Sequence, residues 1–129
     1  AEELGLKSLG KMRGFAVAGC APDIMGIGPI PSIRKLLAQT GLSIEDIDLF
    51  EINEAFAVVT MAAMREFDLS HERVNIYGGG VSLGHPIGCS GTRIVVTLMN
   101  AMDRQQATLG MAAICIGGGE ALSLIIERI

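Results

Sequence analysis

The chain has 129 residues, 50% of them hydrophobic and 19% charged, with a net charge of −4, which suits one domain around one core and excludes a disordered segment. Ten Lys and Arg without a cluster and five aromatics leave little to track phosphates or stack bases, so nucleic acid is set aside. A mean hydropathy of +0.47 implies either a membrane protein or a domain whose apolar faces are covered by a partner. The uncharged windows are too glycine-rich or too short for a spanning helix of about 20 apolar residues, so a covering partner is the expectation.

Residues 1–11 are polar and read as a connector; Ala1-Glu2-Glu3-Leu4-Gly5 carries neither the basic nor the apolar region of a secretory leader. Arg13 to Cys20 reads as a strand ended by Ala21-Pro22-Asp23, and Met25-Gly26-Ile27-Gly28-Pro29 as a loop. A helix over 30–40 follows, with Pro29 and Pro31 at its start and Gly41 at its end. Ile30, Ile33, Leu36 and Leu37 form its apolar face. A second strand, Ile47 to Ile52, leads to Asn53, which stands where a helix N-cap would, before a helix to about Phe67.

Val74 to Tyr77 reads as a third strand entering the glycine stretch 78–91, which holds six glycines and His85-Pro86. A helix over 90–104 has only a narrow polar stripe (Arg93, Thr97, Asn100, Arg104), so most of its surface calls for burial. Two apolar runs close the chain, Leu109 to Ile116 and Ala121 to Ile126. The three glycines 117–119 between them are too few for a parallel crossover, which makes this pair antiparallel. The pattern is α/β, in the order βαβαβαββ, with a mixed sheet.

Met25, Asn53, His85 and Cys115 follow the first four strands. In a mostly parallel sheet those loops gather along one edge, where ligands bind. A histidine displayed by a glycine turn favours a functional role, whereas Asn53 fits a helix cap equally well. Cys115, between two isoleucines, reads by itself as a buried small hydrophobe. Cys89 lies near a helix N-terminus, which favours thiolate, yet plain burial is the readier reading. His71, Glu45/Asp46 and Glu2/Glu3 read as solvated surface. Two motifs fail: Gly79-x4-Gly84 lacks the Lys-Ser/Thr of a P-loop, and His85, Cys89 and Cys115 lack the close ligand pairs of a zinc site, so no metal is expected. Three widely spaced cysteines suggest a reducing, cytoplasmic setting rather than disulfides.

Asn53-Glu54-Ala55-Phe56-Ala57, Gly84-His85-Pro86 with Gly88 and Ser90-Gly91, and Cys115-Ile116-Gly117-Gly118-Gly119 resemble the three C-terminal motifs of the thiolases. Met25-Gly26-x-Gly28-Pro29 resembles another stretch of that family. The resemblance covers nearly the whole chain and corresponds to the C-terminal half of a thiolase, with the N-terminal half and its acyl-accepting cysteine outside it. It implies a five-stranded sheet in order 3-2-1-4-5 with helices on both faces. It further implies that the 90–104 helix packs against the N-terminal half, and that subunits form dimers or tetramers. The implied activity is acyl transfer between coenzyme A thioesters, forming or cleaving a 3-ketoacyl-CoA as in fatty acid metabolism, with CoA thioesters as substrates and no cofactor.

By the same resemblance, His85 activates the acyl-accepting cysteine and helps bind a thioester oxygen, which Asn53 supports through a water. Cys115 is the acid/base at the substrate α-carbon, and the Gly117 N–H forms part of a second oxyanion hole. Met25, Phe56 and Gly84 take places at the substrate pocket. Gly80, Ser82 and Cys89 stand where a small residue such as alanine is common, and Cys89 is not expected to be the nucleophile. Two alternatives remain open, a non-catalytic assembly domain of the same fold and a ketoacyl-synthase-type enzyme. The latter uses a second histidine where Cys115 stands.

Overall fold

The computed structural model describes residues 2–129, and its first long element is already a strand. β1 (Gly10–Gly19) begins three residues before the expected Arg13, inside the stretch read as a connector. A 3-10 segment, Pro22–Ile27, leads to α1 (Pro29–Thr40). Proline in its first turn needs no intrahelical N–H, and Gly41 at φ +70 returns its N–H to the Leu37 carbonyl to end it. β2 (Leu49–Ile52) and α2 (Ala57–Phe67) follow, then the single turn α3 (Gly80–Leu83) and α4 (Ser90–Gln105). β3 (Leu109–Cys115) and β4 (Glu120–Arg128) form the closing antiparallel hairpin. Its turn places Gly118 and Gly119 at φ +97 and +104, which a side chain would strain.

The sheet has four strands in the order β1-β4-β3-β2, not five in the order 3-2-1-4-5. The first strand lies at an edge, antiparallel to the last, and β3 pairs parallel with β2. The closing hairpin keeps β4 beside β3, whose other edge β2 occupies, so β1 takes the free edge of β4. Residue character agrees. β4 buries Ala121, Ser123, Ile125 and Ile126, as an interior strand does, while β1 exposes Lys11 and Arg13.

The expected third strand is reduced to one bridge, Phe50 to Val74. Asn75 turns to φ +48, a conformation asparagine tolerates. Its side chain then takes over the pairing: Oδ1 accepts the Ile52 N–H at 2.8 Å and Nδ2 donates to the Ile52 carbonyl at 2.9 Å. One amide replaces a strand.

Helices cover both faces, as expected: α1 and α2 lie on one and α4 on the other. The first layer packs Ile33, Leu36 and Ala63 onto Ala16, Phe50, Ile52, Met111 and Ile125. Between them Ser32 Oγ donates to the Pro29 carbonyl and accepts from Ser123 Oγ at 2.6 Å, so both buried hydroxyls are satisfied. The second layer packs Ile94, Leu98, Ala101 and Met102 onto Leu49, Ala112 and Ile126. Gly110 lets α4 sit this close, because a Cβ there would overlap Met102 Sδ and stand 2.9 Å from Leu98 Cδ1.

α4 covers β2 and β3 but leaves β1 bare on that face. Strand alternation turns Ala16 toward α1 and turns Phe15 and Val17 the other way, where they stay 61% and 46% exposed. A groove of about 220 Å³ beside α4 continues the bare surface, lined by residues such as Val95, Ile114, Leu122 and Leu124. Among the described residues, no helix is long and apolar enough to cross a membrane.

Gly110→Ala is expected to destabilise the fold by about 1–3 kcal/mol through overpacking under α4, read as a lower urea midpoint with an unchanged denaturant slope. This chain on its own is expected to bind an apolar dye or to self-associate through the α4 face. A stable, dye-silent monomer in sedimentation would contradict that.

Candidate active site

β1, β2 and β3 all run in one direction, because β1 and β3 are each antiparallel to β4 and β2 is parallel to β3. Their C-terminal ends therefore open on the same rim. A cavity of about 600 Å³ lies there, lined by Met25, Phe56, His85, Ile87, Cys115 and Gly117 among others. Five of the seven residues singled out as catalytic or substrate-binding thus share one space. Gly84 does not line it. At φ +89 it closes α3, returning its N–H to Gly80 O at 2.8 Å, and sets the direction of His85. Asn53 is fully buried behind the imidazole.

Asn53 does not cap a helix. α2 begins only at Ala57, after Phe56 in extended conformation, and no side chain caps it. The Asn53 amide is free for the site instead. Nδ2 faces His85 Nε2 at 3.5 Å, and Oδ1 is buried without a hydrogen-bond partner.

On the other side of the ring, His85 Nδ1 lies 2.5 Å from Ser90 Oγ, at the start of α4. The Ser90 hydroxyl donates its only proton to the Pro86 carbonyl at 3.1 Å, so it accepts from Nδ1–H. The neutral ring then carries its proton on Nδ1 and its lone pair on Nε2, the nitrogen facing the Asn53 amide. A histidine in that tautomer can take a proton at Nε2.

Cys115 ends β3 with its thiol half-buried. Burial pushes its pKa up, a hydrogen bond involving its own backbone pulls it down, and the nearby Cys20 pushes it up again. The thiol therefore stays protonated near neutral pH and holds a proton to give. Cys89, expected to be buried, is exposed. His71 is exposed, as its polar neighbours imply.

A family model described as the thiolase C-terminal domain matches residues 6–128. The chain belongs to the thiolase family. It is 50% identical over 131 residues to the 3-ketoacyl-CoA thiolase of Aliivibrio salmonicida (strain LFI1238), covering 99% of this chain and 34% of that protein. It is 49% identical over 128 residues to the cytosolic acetyl-CoA acetyltransferase of Rattus norvegicus, covering 99% and 32%. Among solved structures, the Bacillus anthracis acetyl-CoA acetyltransferase superposes with a TM-score of 0.95 at 50% identity, and human mitochondrial 3-ketoacyl-CoA thiolase with 0.95 at 41%. Each comparison covers 99% of this chain and 32% of the solved one. This thiolase domain spans about a third of the length of the relatives it matches.

The sequence left several supports of this thiolase domain unseen. Ser90 was legible only as part of a motif, although its place five residues after the histidine, in the first turn of a helix, is the signal for a ring partner. Asn75 gave no sign of replacing a strand. Glu51 and Arg93 form a buried pair at 3.5 Å, Nη1 donating to Oε2, with Glu51 Oε1 and Arg93 Nε and Nη2 left without partners. Burial pushes the Glu51 carboxyl up to about 7, Arg93 offsets part of this, and Glu54 adds to it.

Because the folded pKa of Glu51 lies above the ordinary carboxylate value, the folded state holds more protons than the unfolded one between about pH 4.5 and 7. Stability then falls as pH rises through that window. Urea unfolding at pH 5 and at pH 8 is expected to show a loss of the order of 3 kcal/mol, and Glu51→Gln should remove most of that difference. A pH dependence unchanged by the substitution would contradict the assignment.

Proposed function

We propose that the whole protein is a thiolase that forms or cleaves a 3-ketoacyl-CoA through an acyl-cysteine. In this reading the cysteine lies in a region outside these residues, and this domain supplies His85, Cys115, Asn53 and Gly117. The observation that carries the reading is the shared cavity, which brings a histidine protonated on Nδ1 and a protonated thiol to the mouth of three strands. The whole protein's substrates are coenzyme A thioesters, and none of the steps calls for a cofactor. Three thiols, all unpaired, suit a reducing compartment such as the cytoplasm.

In the cleaving direction, the nucleophilic cysteine gives its proton to Nε2 of His85 and its sulfur attacks the 3-keto carbon. The bond between the α- and β-carbons breaks, and the electron pair is held as the enolate of acetyl-CoA. Cys115 S–H protonates the α-carbon, and acetyl-CoA leaves. Coenzyme A then attacks the acyl-cysteine, passing its thiol proton to the Cys115 thiolate, while His85 returns its proton to the departing cysteine sulfur. Asn53, through a water at its unpartnered Oδ1, and the Gly117 N–H act on the oxyanions. One such donor contributes roughly 3–4 kcal/mol. Met25 and Phe56 shape the acyl side of the pocket, with Gly84 behind it.

The apolar face left bare beside α4 supports docking of the rest of the chain there, and the whole protein is expected to form a homodimer or homotetramer. The domain alone is inactive in this account. The test is thiolysis of acetoacetyl-CoA by the whole protein. His85→Ala is expected to lower kcat by about 10²–10⁴-fold. Cys115→Ser is expected to abolish carbon–carbon cleavage while leaving acyl transfer from acetyl-CoA to the nucleophilic cysteine detectable. Full activity in His85→Ala would refute the role given to this histidine.

A further inference from the structure

Glu54 stands next to Asn53, yet its side chain points away from the cavity. Oε2 accepts the Val81 N–H at 2.9 Å, and Oε1 accepts from Asn75 Nδ2 at 2.8 Å. Asn75 is itself fixed to both polar groups of Ile52, the last residue of β2. The turn before α3 rests directly on this carboxylate. A Cβ on Gly79 would stand 2.5 Å from Glu54 Cδ, and one on Gly80 would stand 2.5 Å from the Glu54 carbonyl oxygen. From Val81 the chain runs through the one-turn helix α3 to Gly84 and reaches His85 four residues later.

We infer that Glu54 is a positioning residue for His85. Through the Val81 N–H and Asn75 it locks α3 to the end of β2, so that the imidazole is referred to the same strand end that Asn53 directly follows. The carboxylate form is required. Both groups it meets are donors, so both of its oxygens must accept. An amide of the same shape would turn its NH2 against either Val81 N–H or Asn75 Nδ2. The brace then opens on one side, and α3 with its histidine gains freedom. A misplacement of about 1 Å at reacting atoms costs of the order of 10²-fold in rate. Ground-state binding of the thioester, which depends on the whole cavity, changes far less.

The inference rests on the thiolase reading, and the experiment separates the two. The whole protein carrying Glu54→Gln is compared with the unsubstituted protein in acetoacetyl-CoA thiolysis, in thermal unfolding and in amide exchange at Val81. The expected result is a fall in kcat of about 10–100-fold, with KM within about threefold and the unfolding midpoint within a few degrees. Exchange at Val81 should be at least about tenfold faster. A kcat and a Val81 exchange rate both unchanged would overturn the inference while leaving the thiolase reading intact. An unsubstituted protein without thiolysis would instead refute that reading, and Val81 exchange would still report on the brace. Should Glu54→Gln fail to fold, Glu54→Asp keeps the charge on an arm too short to reach both donors, and is expected to give the same split between kcat and KM.

Discussion

The His85 imidazole is gripped from two elements at once, by Ser90 at the start of α4 and by Asn53 at the end of β2. The Ser90 contact is short at 2.5 Å, whereas the 3.5 Å approach of the asparagine is long for a hydrogen bond. Their value lies in the constraint they place on everything else. α4 must begin where β2 ends, which fixes how the helix lies on the sheet. Gly110 meets that demand by admitting Leu98 and Met102 against the strand. The direction of β1, β2 and β3 meets it again, by bringing Cys115 and Met25 to the same rim.

Several features that weaken the domain by itself lie around this grip. Asn53 Oδ1, Glu51 Oε1 and two nitrogens of Arg93 are buried without a protein partner among the described residues, and a buried polar group costs about 1–3 kcal/mol where nothing satisfies it. Phe15, Val17 and Val96 stay bare on the α4 side. A domain selected for solitary stability would satisfy those groups and cover that face. The chain spans about a third of the length of its relatives, and in the proposed whole protein the remaining chain covers that face.

The helices and the hairpin were readable because local chemistry dictates them. Proline in the first turn and Gly41 past the end bound α1, and a three-glycine link forces β3 and β4 together. The rim of the site was readable for the same reason, since strand ends converge once the strands share a direction. What escaped the sequence was decided by side chains acting in place of backbone. Val74 to Tyr77 has strand composition, yet Asn75 pairs with Ile52 through its amide and ends the ladder after one bridge. Asn53 looks like a cap, but α2 begins only at Ala57 after an extended Phe56, which leaves the Asn53 amide to the histidine. The strand order followed from which edges the hairpin leaves open, a property of the assembled sheet that no local pattern encodes.

In the proposed reaction this domain contributes the base and the proton donor while the acyl group is carried elsewhere. Peptide mass spectrometry of the whole protein after brief exposure to acetyl-CoA locates that acyl group. One acetylated cysteine is expected outside these 129 residues, with Cys20, Cys89 and Cys115 unmodified. An acetyl group on Cys89 or Cys115, with none elsewhere, would contradict it.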